Sequence, residues 1–223
     1  MTHAMLPTGP ARAGKPRLLD LFSGAGGAAR GYQLAGFHVT GVDIKPQPRY
    51  AGDVFIQGDA MTFPLDGFDA IHASPPCQDH MRIAPPKAHG NGWMLAATRT
   101  RLEDAGKPFV IENVAGAPLR ADFRICGCQV GLKLRRERWF ETNWERAIEF
   151  DRPHLHEGPV VSVVGHGTPT WVRVRLGYNP TIVQYREAMG IDWMNRDELS
   201  QAIPPAYTAF IGKQLLAAIE ATP

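Results

Sequence analysis

The stretch RLLDLFSGAGG, residues 17–27, decides the fold. Its first six residues form a compact apolar run typical of a buried strand. Gly24, Gly26 and Gly27 follow, and an alanine-rich helical stretch then ends near Gly36. Glycines after a strand let the backbone pass close under a ligand, and the start of the helix favours an anionic group such as a carboxylate. The stretch therefore predicts a ligand crevice at the carboxyl end of the first strand of an open α/β sheet.

Strands and helices alternate along the rest of the chain. The predicted strands are HVTGVDI (38–44), VFIQGDA (54–60), FDAIHA (68–73) and FVIEN (109–113). The predicted helices are residues 92–105 and the C-terminal segment PPAYTAFIGKQLLAAIE. This alternation is typical of an α/β fold with a mostly parallel sheet.

The chain divides into one main domain and two less regular segments. Residues 1–16, rich in Pro, Gly and Ala, predict a flexible tail. Residues 17–143 carry the predicted strands, and residues 181–223 complete the same domain. Residues 144–180 have scattered Pro, Gly, His and Trp, which predicts an inserted loop or a very small subdomain.

Composition limits the class of protein. The 223 residues carry a net charge of +2, and 44% are hydrophobic, as expected of a globular protein with a sizeable core. The N-terminus lacks a signal-peptide pattern, and no apolar run approaches the roughly 18 residues of a membrane span. Three cysteines without a secretory signal indicate reduced thiols in a cytoplasm. Basic residues cluster locally in LKLRRERW and WVRVRL.

Acidic residues end the second and third predicted strands. Asp43 is placed to hold ribose hydroxyls, and Asp59 to accept a hydrogen bond from an exocyclic amine. Two carboxylates disfavour a phosphate-rich nucleotide because like charges repel, so the pattern favours a nucleoside without phosphates. The alternative is that the glycines only make a tight turn and the two aspartates only cap helices.

The segment SPPCQDHM, residues 74–81, follows the fourth predicted strand. Its two prolines end the strand and place Cys77 on a rigid turn at the sheet edge. A thiolate there is a candidate nucleophile, although an isolated cysteine is more often a small buried hydrophobe. Glu112 and Asn113 end the next apolar strand, where polar groups are otherwise hard to justify. Parallel strands would bring Cys77 and Glu112 to the glycine loop.

In this order the motifs resemble those of the DNA (cytosine-5)-methyltransferases, which use S-adenosylmethionine. DLFSGAGG is similar to the family's cofactor loop, VDI and GDA to its ribose and adenine contacts, SPPCQ to its nucleophile motif and IENV to its glutamate motif. LRRERWF is similar to the motif Gln-x-Arg-x-Arg, and REAMGIDW and QAIPPAYTAFIGKQLL to the two last motifs. The resemblance implies a Rossmann-like methyltransferase fold with a much reduced target-recognition region.

The resemblance also implies the residues of three sites. Those implied to bind S-adenosylmethionine, with S-adenosylhomocysteine as product, are Asp20, Phe22, Ser23, Gly24, Gly26, Gly27, Asp43, Ile44, Asp59, Ala60, Pro75, Gln201 and Ala202. The implied catalytic residues are Cys77, Glu112 and Arg138, with Asn113 and Arg136 beside them. Those implied to contact DNA are Gln78, Arg82, Lys87, Arg173 and Arg175.

The implied mechanism is covalent. Cys77 adds to carbon 6 of a flipped-out cytosine so that carbon 5 can take the methyl group. Glu112 contacts ring nitrogen 3 and the exocyclic amine, and Arg138 binds the carbonyl oxygen at position 2 and helps to orient Glu112. The loop of residues 79–92 closes over the base and contacts phosphates. The expected partner is double-stranded DNA, and the expected state is a monomer in the cytoplasm of a bacterial host, without a membrane partner.

The chain departs from the family pattern at three places. Leu134 occupies the first position of the arginine motif, where the family has Gln. Gln201 stands before the two prolines, where the family usually has Asn. Few residues separate Arg138 from Arg186, so recognition by a separate domain is in doubt. If WVRVRL is a strand, Arg173 and Arg175 share one face of it. We expect a recognition site of roughly two to four base pairs, containing guanine beside the target cytosine.

Three alternatives stay open. The chain could methylate cytosine in transfer RNA, methylate an exocyclic amine of DNA, or bind DNA without catalysis. An exocyclic-amine enzyme would need an aromatic residue at the position of Cys77.

The sequence also contains CGC and HLH, which could supply Cys126, Cys128, His154 and His156 to zinc. Their spacing fits the usual zinc patterns poorly, so we expect plain loop residues and no metal.

Overall fold

The computed structural model describes residues 14–76, 93–144, 150, 152–158, 160–163 and 170–221. Its strands are β1 Arg17–Leu21, β2 His38–Asp43, β3 Val54–Gln57, β4 Ala70–Ala73, β5 Phe109–Val114, β6 Phe123–Ile125, β7 Leu134–Arg135, β8 Arg138–Thr142 and β9 Val161–Ser162. Its α-helices are α1 Gly27–Ala35, α2 Trp93–Asp104, α3 Thr170–Leu176, α4 Ile182–Met189, α5 Arg196–Gln201 and α6 Pro205–Ala221. Within these residues, none of the helices is long and apolar enough to cross a membrane.

Seven strands form the main sheet in the order β3-β2-β1-β4-β5-β8-β6. Strands β1 to β5 are parallel, and β8 runs antiparallel to both of its neighbours, β5 and β6. Strand β1 pairs with β2 on one side and β4 on the other, so the strand order reverses there. A ligand crevice forms outside the carboxyl ends of parallel strands at such a reversal. The predicted, mostly parallel α/β sheet is confirmed.

The predicted elements are present with small changes of boundary. The second and third strands end at Asp43 and Gln57, so Asp59 follows β3 instead of lying inside it. The predicted closing helix is α6. The segment WVRVRL was expected as a possible strand, but it lies in helix α3.

Helices α1 and α6 pack unusually close together. A Cβ atom at Gly31 would overlap Thr208 Oγ1 and the Pro205 carbonyl, and one at Gly27 would lie 2.5 Å from Ile203 O. Thr208 Oγ1 donates a hydrogen bond of 2.8 Å to the carbonyl oxygen of Ala28. These contacts fix the start of α1, and therefore the glycine loop, against the C-terminal helix.

The apolar core lies on both faces of the sheet. One cluster includes Tyr32, Phe37 and Tyr207 and joins α1 and α6 to the sheet. A second includes Leu102 and Phe109 and joins α2 to the other face. Both faces of the parallel strands are therefore covered, as such sheets require.

Candidate active site

The glycine loop lies at the carboxyl end of β1, where the strand order reverses. Gly24 has φ +48°, and a Cβ atom there would meet no other atom within 4 Å, so the loop leaves open space beside it. Gly26 has φ +80°, and a Cβ atom there would lie 2.8 Å from Ala51 N. Gly24 therefore keeps the crevice open, whereas Gly26 and Gly27 allow close packing of the protein against itself.

Phe22 also has a positive φ, of 60°. Such a backbone conformation costs a residue other than glycine of order 1–3 kcal/mol and persists only where the surroundings impose it. Phe22 is half-buried against the second core cluster, and the Ser23 amide donates a 3.1 Å hydrogen bond to Val42 O. Strand β2 thus holds the strained turn in place.

Asp43 connects the end of β2 to the glycine loop. Its Oδ2 accepts a hydrogen bond of 2.9 Å from the Gly24 amide, and its Oδ1 accepts one of 2.9 Å from the Lys45 amide. A carboxylate oxygen can accept a second hydrogen bond, so both remain able to bind hydroxyls. The next side chain, Ile44, is apolar and 69% exposed, which suits contact with a flat, apolar ring.

Asp59 lies in the turn after β3 and is exposed. Its Oδ1 accepts a hydrogen bond of 2.9 Å from the Met61 amide. Asp59 thus closes a turn and caps no helix, and its carboxylate also faces solvent. Ala60 is buried, and its carbonyl oxygen accepts a hydrogen bond of 2.7 Å from Arg101.

Asp20 is a buried acid in the middle of this region, with 1% of its side chain exposed. Among the described residues, neither carboxyl oxygen has a hydrogen bond of ordinary geometry. Burial, followed by the charges of Asp43 and Glu112, raises its pKa well above the usual range, and the Ala29 amide lowers it by less. The Asp20 carboxyl group therefore tends to keep its proton and can donate a hydrogen bond.

Glu112 and Arg138 form a mostly buried ion pair. Arg138 Nε lies 2.9 Å from Glu112 Oε1, and the two side chains are 15% and 7% exposed. Glu112 pairs with Phe140 across the β5–β8 ladder, so Arg138, two residues away, projects from the same face of the sheet. The antiparallel pairing of β8 thus brings the predicted glutamate and arginine together.

The protonation of Glu112 reflects two opposing influences. Burial raises its pKa, while the charges of Arg138 and Arg136 and a hydrogen bond from Ser74 lower it by less. The carboxyl group can therefore hold a proton at a higher pH than an exposed glutamate and can release it to a hydrogen-bonded base.

A chain of hydrogen-bonded polar groups leads from the core to Glu112, and it was not predicted from the sequence. Tyr32 OH lies 2.9 Å from His72 Nδ1, and His72 Nε2 lies 2.9 Å from Ser74 Oγ, which bonds to Glu112. Burial lowers the pKa of His72 to about 3, so the ring is neutral. A histidine inside the apolar run FDAIHA was the available signal.

Asn113 positions the segment that leads to Cys77. Its Nδ2 donates a hydrogen bond of 3.0 Å to the carbonyl oxygen of Pro75. The predicted nucleophile Cys77 lies outside the described residues, as do Gln78, Arg82 and Lys87. Within the described part, β4 and β5 are adjacent parallel strands, so Pro75 and Glu112 both lie at the crevice.

Arg136, predicted among the catalytic residues, points elsewhere. Its guanidinium donates hydrogen bonds to the carbonyl oxygens of Ala202 (3.1 Å), Ser200 (2.8 Å) and Val163, and 4% of the residue is exposed. It therefore fastens the end of α5 and the residue after it to the core and acts on Glu112 only through its charge. Gln201, the last residue of α5, is exposed.

The expectation for Arg173 and Arg175 needs correction. Both lie in helix α3, so the strand alternation from which a shared face was expected is absent there. Arg173 is exposed and donates a hydrogen bond of 3.1 Å to Thr170 Oγ1. The adjacent Val174 is 77% exposed. A surface helix, not a strand, therefore presents the basic residue.

Cys126, Cys128, His154 and His156 lie together. One candidate ligand atom from each lies within 4.8 Å of the others. Spacing along the chain did not reveal this group, because it does not show how the two segments fold against each other.

The comparisons with known proteins give one curated relative. No family model matches the chain. The chain is 30% identical over 140 residues to the type II methyltransferase M.NgoFVII of Neisseria gonorrhoeae. The match covers 52% of this chain and 37% of the relative, so the chain spans little more than a third of that protein's length.

Solved structures agree on the fold. The chain is similar to a protein described as a DNA modification methyltransferase encoded within an Escherichia coli prophage, with a TM-score of 0.65, 12% identity and coverage of 92% of this chain and 99% of that one. It is similar to DNMT2 of Spodoptera frugiperda, with a TM-score of 0.60, 14% identity and coverage of 90% of this chain and 99% of that one. It is also similar to Dnmt2 of S. pombe, with a TM-score of 0.60, 16% identity and coverage of 92% of this chain and 99% of that one. The predicted Rossmann-like methyltransferase fold is confirmed, and so is the resemblance to DNA methyltransferases.

Proposed function

We propose that this chain, which has the fold of DNA methyltransferases and carries the motifs of the cytosine-5 class, transfers a methyl group from S-adenosylmethionine to carbon 5 of cytosine in DNA. The observation that carries the proposal is the Glu112–Arg138 ion pair, 2.9 Å long and mostly buried. It lies on the strand next to the one that leads into SPPC. A charged pair is costly to bury without a function or a strong structural need.

The residues around the glycine loop fit the cofactor. The open space beside Gly24 would be filled by a Cβ atom, and Asp43 ends β2 with acceptor capacity for ribose hydroxyls. Ile44 offers an exposed apolar surface for adenine, and Asp20 offers a buried carboxyl group with unused hydrogen-bonding capacity. When bound, S-adenosylmethionine would supply an electrophilic methyl group. The site residues themselves bind, orient and exclude water.

The catalytic step depends on a nucleophile and a proton donor. The Cys77 thiolate would form a bond to carbon 6 of cytosine, and the ring electrons would shift toward nitrogen 3 and carbon 5. Glu112, whose pKa is raised by burial, would stabilise the negative charge on nitrogen 3 by donating a proton. Arg138 would hold Glu112 and the carbonyl oxygen at position 2. After carbon 5 takes the methyl group, its proton passes to a base and the thiolate leaves.

The proposed substrate is double-stranded DNA with the target base flipped out. Carbon 6 of a stacked base is inaccessible to a protein nucleophile, so extrusion of the nucleotide is required. The exposed helix α3, with Arg173 and Val174, offers a small surface for the duplex. Phosphate contacts would supply much of the affinity and make it depend on salt. We further propose that the enzyme acts as a monomer in a bacterial cytoplasm.

Covalent trapping tests this proposal. A duplex with 5-fluorocytosine at the target position cannot lose a proton from carbon 5, so the adduct of Cys77 should persist and survive denaturing electrophoresis. The adduct should require S-adenosylmethionine and disappear in Cys77→Ala. Val183→Ala is the control, since it changes an exposed side chain of α4 and should retain trapping.

Two outcomes would contradict the proposal. A covalent adduct with 5-fluorocytosine in RNA, without one in DNA, would indicate an RNA substrate. Methyl transfer to the amino group of cytosine or adenine, detected by nucleoside mass spectrometry, would indicate an exocyclic-amine enzyme.

A further inference from the structure

A compact group of two cysteines and two histidines takes no part in the proposed methyl transfer. Cys126 Sγ is 3.3 Å and Cys128 Sγ is 3.9 Å from His156 Nε2. The rings of His154 and His156 are 5.5 Å apart at their centroids. In a tetrahedral zinc site, a sulfur and a nitrogen ligand lie about 3.5 Å apart. The two sulfur–nitrogen distances are therefore close to those that a bound ion would impose, and all four candidate ligand atoms lie within 4.8 Å of one another.

The local backbone favours this arrangement. Cys126 follows β6, and Cys128 lies in a short 3-10 helix formed by Gly127–Val130. A Cβ atom at Gly127 would overlap Leu134 O, so only glycine allows the turn that directs both cysteines to one side. The Cys126 amide donates a hydrogen bond of 2.9 Å to Gln129 Oε1, which fixes the turn.

The surroundings of Cys126 suit a metal-bound thiolate. Cys126 is 1% exposed, and the Arg136 amide donates a hydrogen bond to its sulfur. Amide hydrogen bonds to a ligating sulfur hold the ligand in place and stabilise its charge. A buried thiolate needs such a donor and a cation, and Cys128 and the two histidines complete the set.

We propose that Cys126, Cys128, His154 and His156 bind one Zn²⁺ ion. Two thiolates and two neutral imidazoles give tetrahedral coordination and cancel the charge of a divalent ion. Two soft sulfur ligands with two imidazoles favour zinc over magnesium or calcium, which prefer oxygen. All four positions are supplied by protein, so the site is structural.

The ion would connect two distant parts of the chain. Cys126 and Cys128 belong to the turn after β6, and His154 and His156 belong to the segment that leads to β9. Strand β9 pairs with β7, immediately before Arg136 and Arg138. Zinc would therefore fasten the short region between the arginine motif and α3 to the sheet that carries Arg138.

Metal analysis tests the proposal directly. Tag-free full-length protein, purified under reducing conditions without chelators, should contain about one zinc ion per chain by elemental analysis. Cobalt substituted for zinc should give the intense thiolate-to-cobalt absorption and the ligand-field bands of tetrahedral coordination. Cys128→Ser and His154→Ala should raise the Kd for zinc by about 100-fold or more, measured by competition with a chromophoric chelator.

Leu155→Ala is the matched control, because it changes an exposed side chain between the two histidines. It should retain zinc and the cobalt spectrum. Circular dichroism should show that Cys128→Ser and His154→Ala keep the wild-type secondary structure, which separates lost coordination from unfolding. Wild-type protein without zinc and without a thiolate–cobalt band would overturn the proposal, as would wild-type affinity in both ligand variants.

Discussion

The imidazole of His72 lies 2.9 Å from the hydroxyl of Ser74 and joins it to Tyr32, on helix α1. Ser74 in turn bonds to Glu112. Because His72 is neutral, one ring nitrogen donates a hydrogen bond and the other accepts one, so its bonds to Tyr32 and Ser74 can form at the same time. The orientation of the candidate proton donor is therefore set by groups inside the core as well as by Arg138.

Replacing His72 should disturb Glu112 without disturbing the cofactor. His72→Phe keeps the ring but removes both hydrogen bonds, so Ser74 would no longer be held toward Glu112. We expect kcat/KM for methyl transfer to fall about tenfold or more. The pKa that Glu112 contributes to the pH dependence of kcat/KM should rise, because the hydrogen bond from Ser74 to Glu112 weakens. Thr40→Val, a buried polar change on β2 that should retain activity, is the control. Equal losses in both variants would mean general destabilisation.

Removing Arg138 should leave Glu112 without its main counter-charge. In Arg138→Ala the pKa of Glu112 should rise further. A group with a raised folded pKa stabilises the protein below its unfolded value, about 4.3, and loses that contribution as pH rises through the folded value. Chemical denaturation should therefore show that Arg138→Ala loses more stability at pH 8 than at pH 5.

Glu112→Gln combined with Arg138→Ala should remove this difference between pH 8 and pH 5, because no carboxyl group is left to titrate. Arg30→Ala, at an exposed position of α1, should show no such pattern. A loss in Arg138→Ala that is independent of pH would argue against the ion pair as its cause.

Substitutions at two glycines distinguish the effect of backbone strain from the effect of ligand contact. Gly24 and Gly106 both have positive φ, +48° and +63°, and a Cβ atom at either would meet no atom within 4 Å. Gly24→Ala and Gly106→Ala should each cost about 1 kcal/mol of stability. Only Gly24→Ala should weaken S-adenosylmethionine binding in calorimetry, since its methyl group would occupy the crevice. Equal affinities in the two variants would place the cofactor elsewhere.

The buried acid Asp20 should make stability fall at higher pH. Its folded pKa is raised, so its stabilising contribution is complete below the unfolded value of about 3.9 and is lost as pH rises through the folded pKa. Asp20→Asn should therefore have a higher Tm than wild type at pH 8 but not at pH 4. A lower Tm for Asp20→Asn than for wild type at pH 8 would mean that Asp20 is charged and paired in the folded protein.

The recognition sequence should be short. Helix α3 offers few side chains for base edges, and each well-read base pair contributes about 1–3 kcal/mol of discrimination. Bisulfite sequencing of plasmid from an expressing strain should show methylation at a site of roughly two to four base pairs. Arg173→Ala should relax that site if it reads a base, or lower methylation evenly if it contacts phosphate. Methylation confined to a site of about six defined base pairs or more would contradict the prediction.

Much of the fold was predictable because its signals are local. The apolar runs that become β1, β2, β4 and β5 are short and bounded by glycine or proline, and each predicts a buried strand by itself. Glu112 and Asp43 could be identified for the same reason, since polar residues directly after such runs must lie at the carboxyl edge of the sheet.

The parts that were missed depend on contacts between distant segments. Arg136 bonds to carbonyl groups more than 60 positions away, and nothing near it in sequence indicates that. The group of two cysteines and two histidines joins segments 28 to 30 residues apart, as measured from the cysteines to His156, so C-x-C and H-x-H did not indicate their proximity. Helix α3 was misread because alternating Val and Arg over six residues fits a strand as well as a helix.

The contact between α1 and α6 has a consequence for the order in which the protein can mature. Thr208 bonds to Ala28 across 180 positions, and Trp193 Nε1 bonds to Ala25 O across 168. On a ribosome, the glycine loop would emerge long before the helix that braces it. We expect the nascent protein to bind S-adenosylmethionine only after α6 has docked. Because contacts so far apart in sequence form slowly, completion of the cofactor site would be a late folding event, and shortened chains that lack α6 would be inactive even where every crevice residue is present.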